Sequence, residues 1–282
     1  MHSYRTIPEL RAARTALPLG TRLGLVPTMG YLHDGHLALV AQARAAADVV
    51  AVSIFVNPTQ FAPTDDLSRY PRDEARDLAL LEAAGVDWVF LPSVADIYPP
   101  GFQTAIEVRD VGQPLEGAAR PGHFSGVATV VAKLFNLMQP QVAVFGQKDA
   151  QQVAVIRRMV RDLDFPVEIQ VGATVREPDG LARSSRNVYL DPAERQAALV
   201  LSRALAAAQS AWATGERDGD RLRAAMLTVL AAEPLARPDY VSVADPQTLT
   251  EWATIPPGAG ALVSLAVRIG RGTRLIDNVV LS

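Results

Sequence analysis

Up to about residue 175, apolar positions fall into two alternating patterns. Short unbroken apolar runs are punctuated by proline or glycine: LGLVPT (23–28), DVVAVSIFVNP (48–58), VDWVFLPS (86–93), VAVFG (142–146) and VEIQVGATV (167–175). Between them lie longer stretches with helical spacing. These are HLALVAQARAAA (36–47), DEARDLALLEAAG (73–85), VATVVAKLFNLM (127–138) and DAQQVAVIRRMVRDL (149–163). Composition alone leaves VATVVAKLFNLM open between helix and strand; its length and Lys133 favour helix. Strands that are apolar throughout and alternate with helices predict a parallel sheet covered on both faces. The expected fold class is therefore α/β, a doubly wound, Rossmann-like sheet with ligands at the carboxyl ends of its strands.

After Val175 the pattern changes. REPDGLARSSRNVYL is polar and turn-rich, and two helical stretches follow over 192–215 and 220–234. Three alternating runs, YVSVAD, ALVSLAVRIG and TRLIDNVVL, predict a small antiparallel sheet. The expected organisation is a Rossmann-like domain over 1–175 and a smaller α+β domain over 176–282.

Bulk properties narrow the function. The chain has 282 residues, 49% hydrophobic and 20% charged, with a formal net charge of -3. There is no basic field for nucleic acid. The absence of cysteine excludes disulfides and thiolate metal sites. No secretory signal is expected in MHSYRTIPELRAARTALP, and no apolar run is long enough to span a membrane. The expectation is a cytoplasmic protein.

Five stretches carry candidate chemistry. In VPTMGYLHDGHLALV, a strand expected to end at Val26 meets a helix expected near Gly35. The stretch uses two of the chain's four histidines, His33 and His36, three residues apart. A helix start offers unpaired N–H groups to phosphate, and imidazoles add donors. The same stretch also fits a plain turn, or part of a zinc site if His123 or a carboxylate joined it. In SIFVNPTQF, Asn57 and Gln60 follow a strand expected to end at Val56, where neutral amides suit hydroxyl and carboxylate groups. In VAVFGQKDAQQV, Lys148 can reach phosphate oxygens, Asp149 can cap a helix or hold a ribose hydroxyl, and Gln152 follows one turn on. DGLARSSRNVYL gathers hydroxyls and a guanidinium that suit phosphate. LEGAARPGHFSGV places Arg120 and His123 where an acidic ligand could be met. No GxxxxGK[ST] and no GxGxxG after a strand is present.

The ordered set PTMGxLHxGH, FVNPxQF, RPGHFxGV, FGxKDxQQ and DGLAxSSRNxYL, with LIDN near the end, resembles the pantoate–β-alanine ligase (pantothenate synthetase) family. The likeness runs from about Thr21 to Leu190. More broadly, the first motif is similar to the HIGH signature of a nucleotidyltransferase superfamily, with RSSRN in place of its KMSKS loop. The resemblance implies ATP-dependent condensation of pantoate with β-alanine through pantoyl adenylate. It implies catalytic roles for His36, His33, Lys148 and Arg186. ATP would be held by Pro27, Thr28, Met29, Gly30, Tyr31, Leu32, His33, Asp34, Gly35 and His36. Gly146, Gln147, Lys148, Asp149, Val175, Arg183, Ser184, Ser185 and Arg186 would complete that set. Gln60 and Gln152, with Asn57, Arg120 and His123, would hold pantoate or β-alanine. Mg²⁺ would ride mainly on ATP oxygens rather than in a protein cage, the second domain would close as a lid, and a homodimer is the usual assembly.

Three positions depart from the family pattern: Thr59 where methionine is common, Gln147 where glutamate is common, and Arg183 where leucine or methionine is usual. The alternative enzyme is another HIGH-type adenylyltransferase acting on a different small acid or phosphate ester. A non-catalytic nucleotide or metal sensor is a reading from another class, and it predicts ATP binding without turnover.

Overall fold

A computed structural model describes residues 1–61 and 67–282. The chain divides into two compact units. The first comprises 1–146 and 155–173, and the second 147–154 and 174–282.

The first unit is built on a six-stranded parallel sheet. Its strands are β1 (His2–Tyr4), β2 (Leu23–Thr28), β3 (Val49–Ile54), β4 (Trp88–Phe90), β5 (Val142–Gly146) and β6 (Glu168–Gly172), in the order β1-β4-β3-β2-β5-β6. The helices around it are α1 (Ile7–Ala16), α2 (Asp34–Ala46), α3 (Glu74–Ala83), α4 (Val94–Ile97), α5 (Glu116–Ala119) and α6 (His123–Met138). Helix α7 (Ala150–Asp162) begins in the second unit and continues in the first. Strand β1 escapes sequence reading because its three residues, HSY, are polar and mostly exposed.

Strands β2 to β4 grow the sheet in one direction, and β5 and β6 then grow it in the other from β2. The reversal falls between β2 and β5, and open α/β sheets bind ligands beyond the carboxyl ends of the strands at such a point. One face of the sheet packs through Val26, Val50, Val52, Val89, Val142 and Val144 against Leu39 and Val40 of α2 and Leu81 of α3. Helix α6 has 12 of its 16 residues buried, so it lacks a polar stripe; this is why its sequence fits either periodicity.

The second unit contains α8 (Pro192–Ala197), α9 (Val200–Ala213) and α10 (Gly219–Ala231). Its three-stranded antiparallel sheet is formed by β7 (Ala236–Ala244), β8 (Ala261–Ile269) and β9 (Thr273–Leu281). The single helical stretch expected from 192 is two helices, separated at Ala198 and Leu199. Leu201 and Leu205 of α9 and Leu222 and Met226 of α10 pack with Val263, Leu265 and Leu275 of the sheet. No helix among the described residues is long and apolar enough to cross a membrane.

Candidate active site

Strand β2 extends two residues beyond the expected Val26, and the chain then turns sharply. Gly30 and Tyr31 are both left-handed, with φ of 81° and 50°. A Cβ on Gly30 would meet Ile54 Cγ2 at 3.0 Å and Asp77 Oδ2 at 3.1 Å, so the turn needs glycine for space as well as dihedral freedom. The strain at Tyr31 is held by Asp77 of α3. Its carboxylate accepts the N–H of Tyr31 at 2.7 Å and of Leu32 at 2.8 Å, and is 1% exposed. Burial raises the pKa of Asp77, against the opposing pull of those two N–H donors and of Arg76. In the sequence Asp77 is one more acidic residue of a helix, and only the fold gives it this task.

Helix α2 starts at Asp34, one residue before expectation, with His33 as its N-cap. Gly35 N–H donates to His33 Nδ1 at 3.1 Å, and His33 N–H donates to His36 Nδ1 at 3.3 Å. The rings lie tilted by 35° with centroids 4.1 Å apart. Two backbone donors expected to serve an anion are thus spent on the histidines. Because each Nδ1 accepts a hydrogen bond, each neutral ring carries its proton on Nε2.

At the end of β3, which stops at Ile54 rather than Val56, residues Pro58–Gln60 form one 3₁₀ turn. Asn57 is 1% exposed. Its Nδ2 donates to Gln60 Oε1 and to the Gly126 carbonyl, both at 3.1 Å. Its Oδ1 accepts from Thr59 Oγ1 at 2.9 Å and from the Tyr98 hydroxyl at 2.8 Å. The Gln60 carbonyl accepts from His123 Nδ1 at 2.9 Å and from Arg120 at 3.3 Å. Arg120 also donates to His123 Nε2 at 3.2 Å. These contacts fix the backbone of Gln60, while its side-chain Nε2 is parked 3.3 Å from the thioether of Met29, a weak acceptor. A hydroxyl or carboxylate can displace that contact at little cost.

Two residues missed in the sequence join this cluster. Tyr98 is one, and burial raises its phenol pKa. Lys133 is the other: its ammonium lies 4.5 Å from the Phe102 ring centroid and 5.9 Å from that of Tyr98, and burial lowers its pKa. Neither belongs to a local motif, so no sequence signal marked them.

Gly146 ends β5 in the first unit, and the remaining candidates lie in the second. Gln147, Lys148 and Asp149 form a 3₁₀ turn, with Lys148 Nζ 3.9 Å from Asp149 Oδ1. Gln152 is half-buried on α7. Val175 accepts the Arg183 N–H at 2.9 Å, and Arg176 and Ala182 pair as an antiparallel bridge, so 175–183 is a hairpin. Beyond it, Ser184 caps a 3₁₀ turn spanning Ser185–Tyr189, its Oγ accepting the Arg186 N–H at 3.2 Å. Among the described residues no group of three or more His, Cys, Asp or Glu is placed to hold a metal ion.

The chain matches a family model described as pantoate–β-alanine ligase over residues 2–280. It belongs to the pantoate–β-alanine ligase family. Pantothenate synthetase of Roseiflexus castenholzii is 64% identical over 281 residues, covering 100% of this chain and 99% of that one. The enzyme of Chloroflexus aurantiacus is 63% identical over 282 residues, with 100% and 98% coverage. The crystal structure of pantothenate synthetase from Thermus thermophilus superposes with a TM-score of 0.92 at 51% identity, covering 99% of each chain. A pantoate–β-alanine ligase from Francisella tularensis, complexed with β-γ ATP and β-alanine, gives 0.81 at 35% identity, with 99% and 97% coverage.

Each departure from the pantoate–β-alanine ligase pattern has a partner here. Thr59 joins the Asn57 and Tyr98 network. Gln147 donates to Asn278 Oδ1 at 2.9 Å. Arg183 pairs with Glu177 at 3.4 Å, which offsets the extra positive charge.

Proposed function

We propose that this chain condenses pantoate with β-alanine at the expense of ATP through a pantoyl-adenylate intermediate. The pantoate carboxylate attacks the α-phosphorus and diphosphate leaves. The β-alanine amine then attacks the acyl carbon, an amide bond forms, and AMP leaves. Such transfer depends mainly on positioning and on stabilising charge. The observation that carries the reading is the histidine pair. Both Nδ1 atoms are engaged at the start of α2, so both Nε2–H groups serve as donors to phosphate oxygen.

In this reading His36 and His33 stabilise the transferring phosphate, and Lys148 adds charge at the α- and β-phosphates. Ser184, Ser185 and Arg186 hold the triphosphate. Asp149 and Gly146 take the ribose, and Val175 the adenine. Gln60 and Gln152 bind pantoate. Asn57, Arg120 and His123 join them around pantoate or β-alanine, and their hydrogen bonds to Gln60 also support a role in positioning it. Mg²⁺ arrives as the MgATP complex on phosphate oxygens, as suits a small hard ion. The adenylate needs protection from water, the task we assign to the second unit as a lid. We further propose a cytoplasmic homodimer, two-fold dimers being the commonest soluble assembly.

ATP–diphosphate exchange measured with and without pantoate tests the reading. Exchange that appears only with pantoate is expected. Its absence in folded, ATP-binding protein refutes the ligase reading, and exchange driven by a different acid supports the alternative adenylyltransferase.

A further inference from the structure

Two adjacent residues of β9 carry buried polar side chains the mechanism does not use. Asp277 is 2% exposed and Asn278 is 4% exposed. Neighbours on a strand point to opposite faces. Leu275, Val279 and Leu281 mark the face packed on α9 and α10, so Asp277 lies on the core side and Asn278 on the other. Asp277 receives the Arg176 guanidinium in two bonds of 2.6 and 2.9 Å, and Arg176 also donates to the Gly180 carbonyl at 3.0 Å. This side of the strand therefore holds the hairpin that leads into Ser184–Arg186.

Asn278 holds the other phosphate-directed segment of the same unit. Its Nδ2 donates to the carbonyls of Gln147 at 3.0 Å and Lys148 at 2.9 Å. Its Oδ1 accepts from Gln147 Nε2 at 2.9 Å. The two carbonyls fix which way the amide faces, since a flipped amide would set oxygen against oxygen. With Oδ1 so placed, position 147 must supply a donor. Glutamine does, whereas an ionised glutamate offers only acceptors.

We propose that Asn278 is a positioning residue for the adenylation step. By clamping the 147–148 backbone and the Gln147 side chain, it sets where the Lys148 ammonium is presented to the phosphates. The inference rests on the role assigned to Lys148 above. Asn278 itself touches no reacting atom.

A double-mutant cycle read by pantoate-dependent ATP–diphosphate exchange tests it. Asn278→Asp keeps the shape but sets a carboxylate against two carbonyls. It should slow exchange at least tenfold at saturating pantoate and leave the KM for pantoate within twofold. In a Lys148→Ala background the same change should cost less than twofold, because the group being positioned is gone. Equal losses in both backgrounds overturn the role of Asn278 and leave that of Lys148 intact. Normal exchange by Lys148→Ala alone refutes the assignment of Lys148, and the proposal with it. Gln147→Glu, at a partly exposed side chain, keeps the question open to test if Asn278→Asp does not fold. It should lose threefold or more in the otherwise unchanged chain and almost nothing beside Lys148→Ala, and equal losses again overturn the proposal.

Discussion

At the residue scale, two of the chain's four histidines hold one helix start. His33 and His36 each accept a backbone N–H at the start of α2 through Nδ1. In the proposed mechanism the same two rings cap the helix and serve the transferring phosphate. His36→Ala should lower pantoate-dependent exchange by well over tenfold, on the scale of about 2–4 kcal/mol for losing a preorganised donor. Part of any stability loss comes from the cap, about 1 kcal/mol. Circular dichroism and exchange measured on the same sample separate the two, and near-normal exchange in folded His36→Ala protein would remove His36 from the mechanism. The chain's own residues also explain its departures: Thr59 completes the hydrogen bonding of Asn57, and Arg183 is matched by Glu177.

Close approach decides function at the element scale. Helix α6 lies against the 58–60 turn at Gly126, where a Cβ would come within 2.6 Å of the Thr59 carbonyl and 2.7 Å of the Gln60 nitrogen. Gly126→Ala should push the turn away, cost about 1–3 kcal/mol, and raise the KM for pantoate more than that for ATP. Equal KM values for both substrates in the variant and the parent would contradict the assignment of Gln60 to pantoate. In the second unit, Asp277→Asn removes the charge opposite Arg176 while preserving shape. Breaking a buried pair from one side costs roughly 3–5 kcal/mol, and the lower end is expected because the Arg176 side chain is 28% exposed. Denaturant melts should show this loss; a loss below about 1 kcal/mol would mean the pair does not anchor the hairpin.

Acid response is a property of the whole molecule. Glu194, at the start of α8, accepts from the Arg271 guanidinium and from the N–H groups of Arg271 and Asp191. These bonds, the guanidinium first, lower its pKa from 4.5 to about 2. A lowered carboxyl stabilises the fold fully above its unfolded value, and that contribution fades as pH falls from about 4.5 toward 2. Glu9, Asp179 and Glu216 are shifted the same way, chiefly by hydrogen bonds. Asp77 is shifted upward by burial, so its contribution runs oppositely, being greatest in acid and lost as pH rises through its folded value. The lowered group outnumbers it. The urea midpoint should therefore drop between about pH 5 and pH 3. Glu194→Gln should have a lower midpoint at about pH 7 and a shallower acid fall. Parallel curves for the two proteins would show that Glu194 is not ionised preferentially by folding.

The alternation of apolar runs and helical spacing was sufficient to determine the parallel sheet, the α/β class and the turns in which His33, His36, Gln60 and Lys148 sit. Those features depend on local periodicity and on residues close in sequence, which a single chain displays directly. The family resemblance rested on the same local motifs. Tertiary structure alone decided how the turns are held. Asp77 is 46 positions from Tyr31, Gly126 is 69 from Asn57, and Asn278 is 131 from Gln147. Asp77 carries no signature, and the motifs that contain Gly126 and Asn278 do not say what those residues touch, because a hydrogen bond between distant residues leaves no pattern in the neighbouring sequence. The same holds for the short strand β1, which pairs with β4 rather than announcing itself by periodicity. In VPTMGYLHDGHLALV the sequence showed which side chains stand at the helix start. The folded chain decided that both Nδ1 atoms accept backbone N–H groups there.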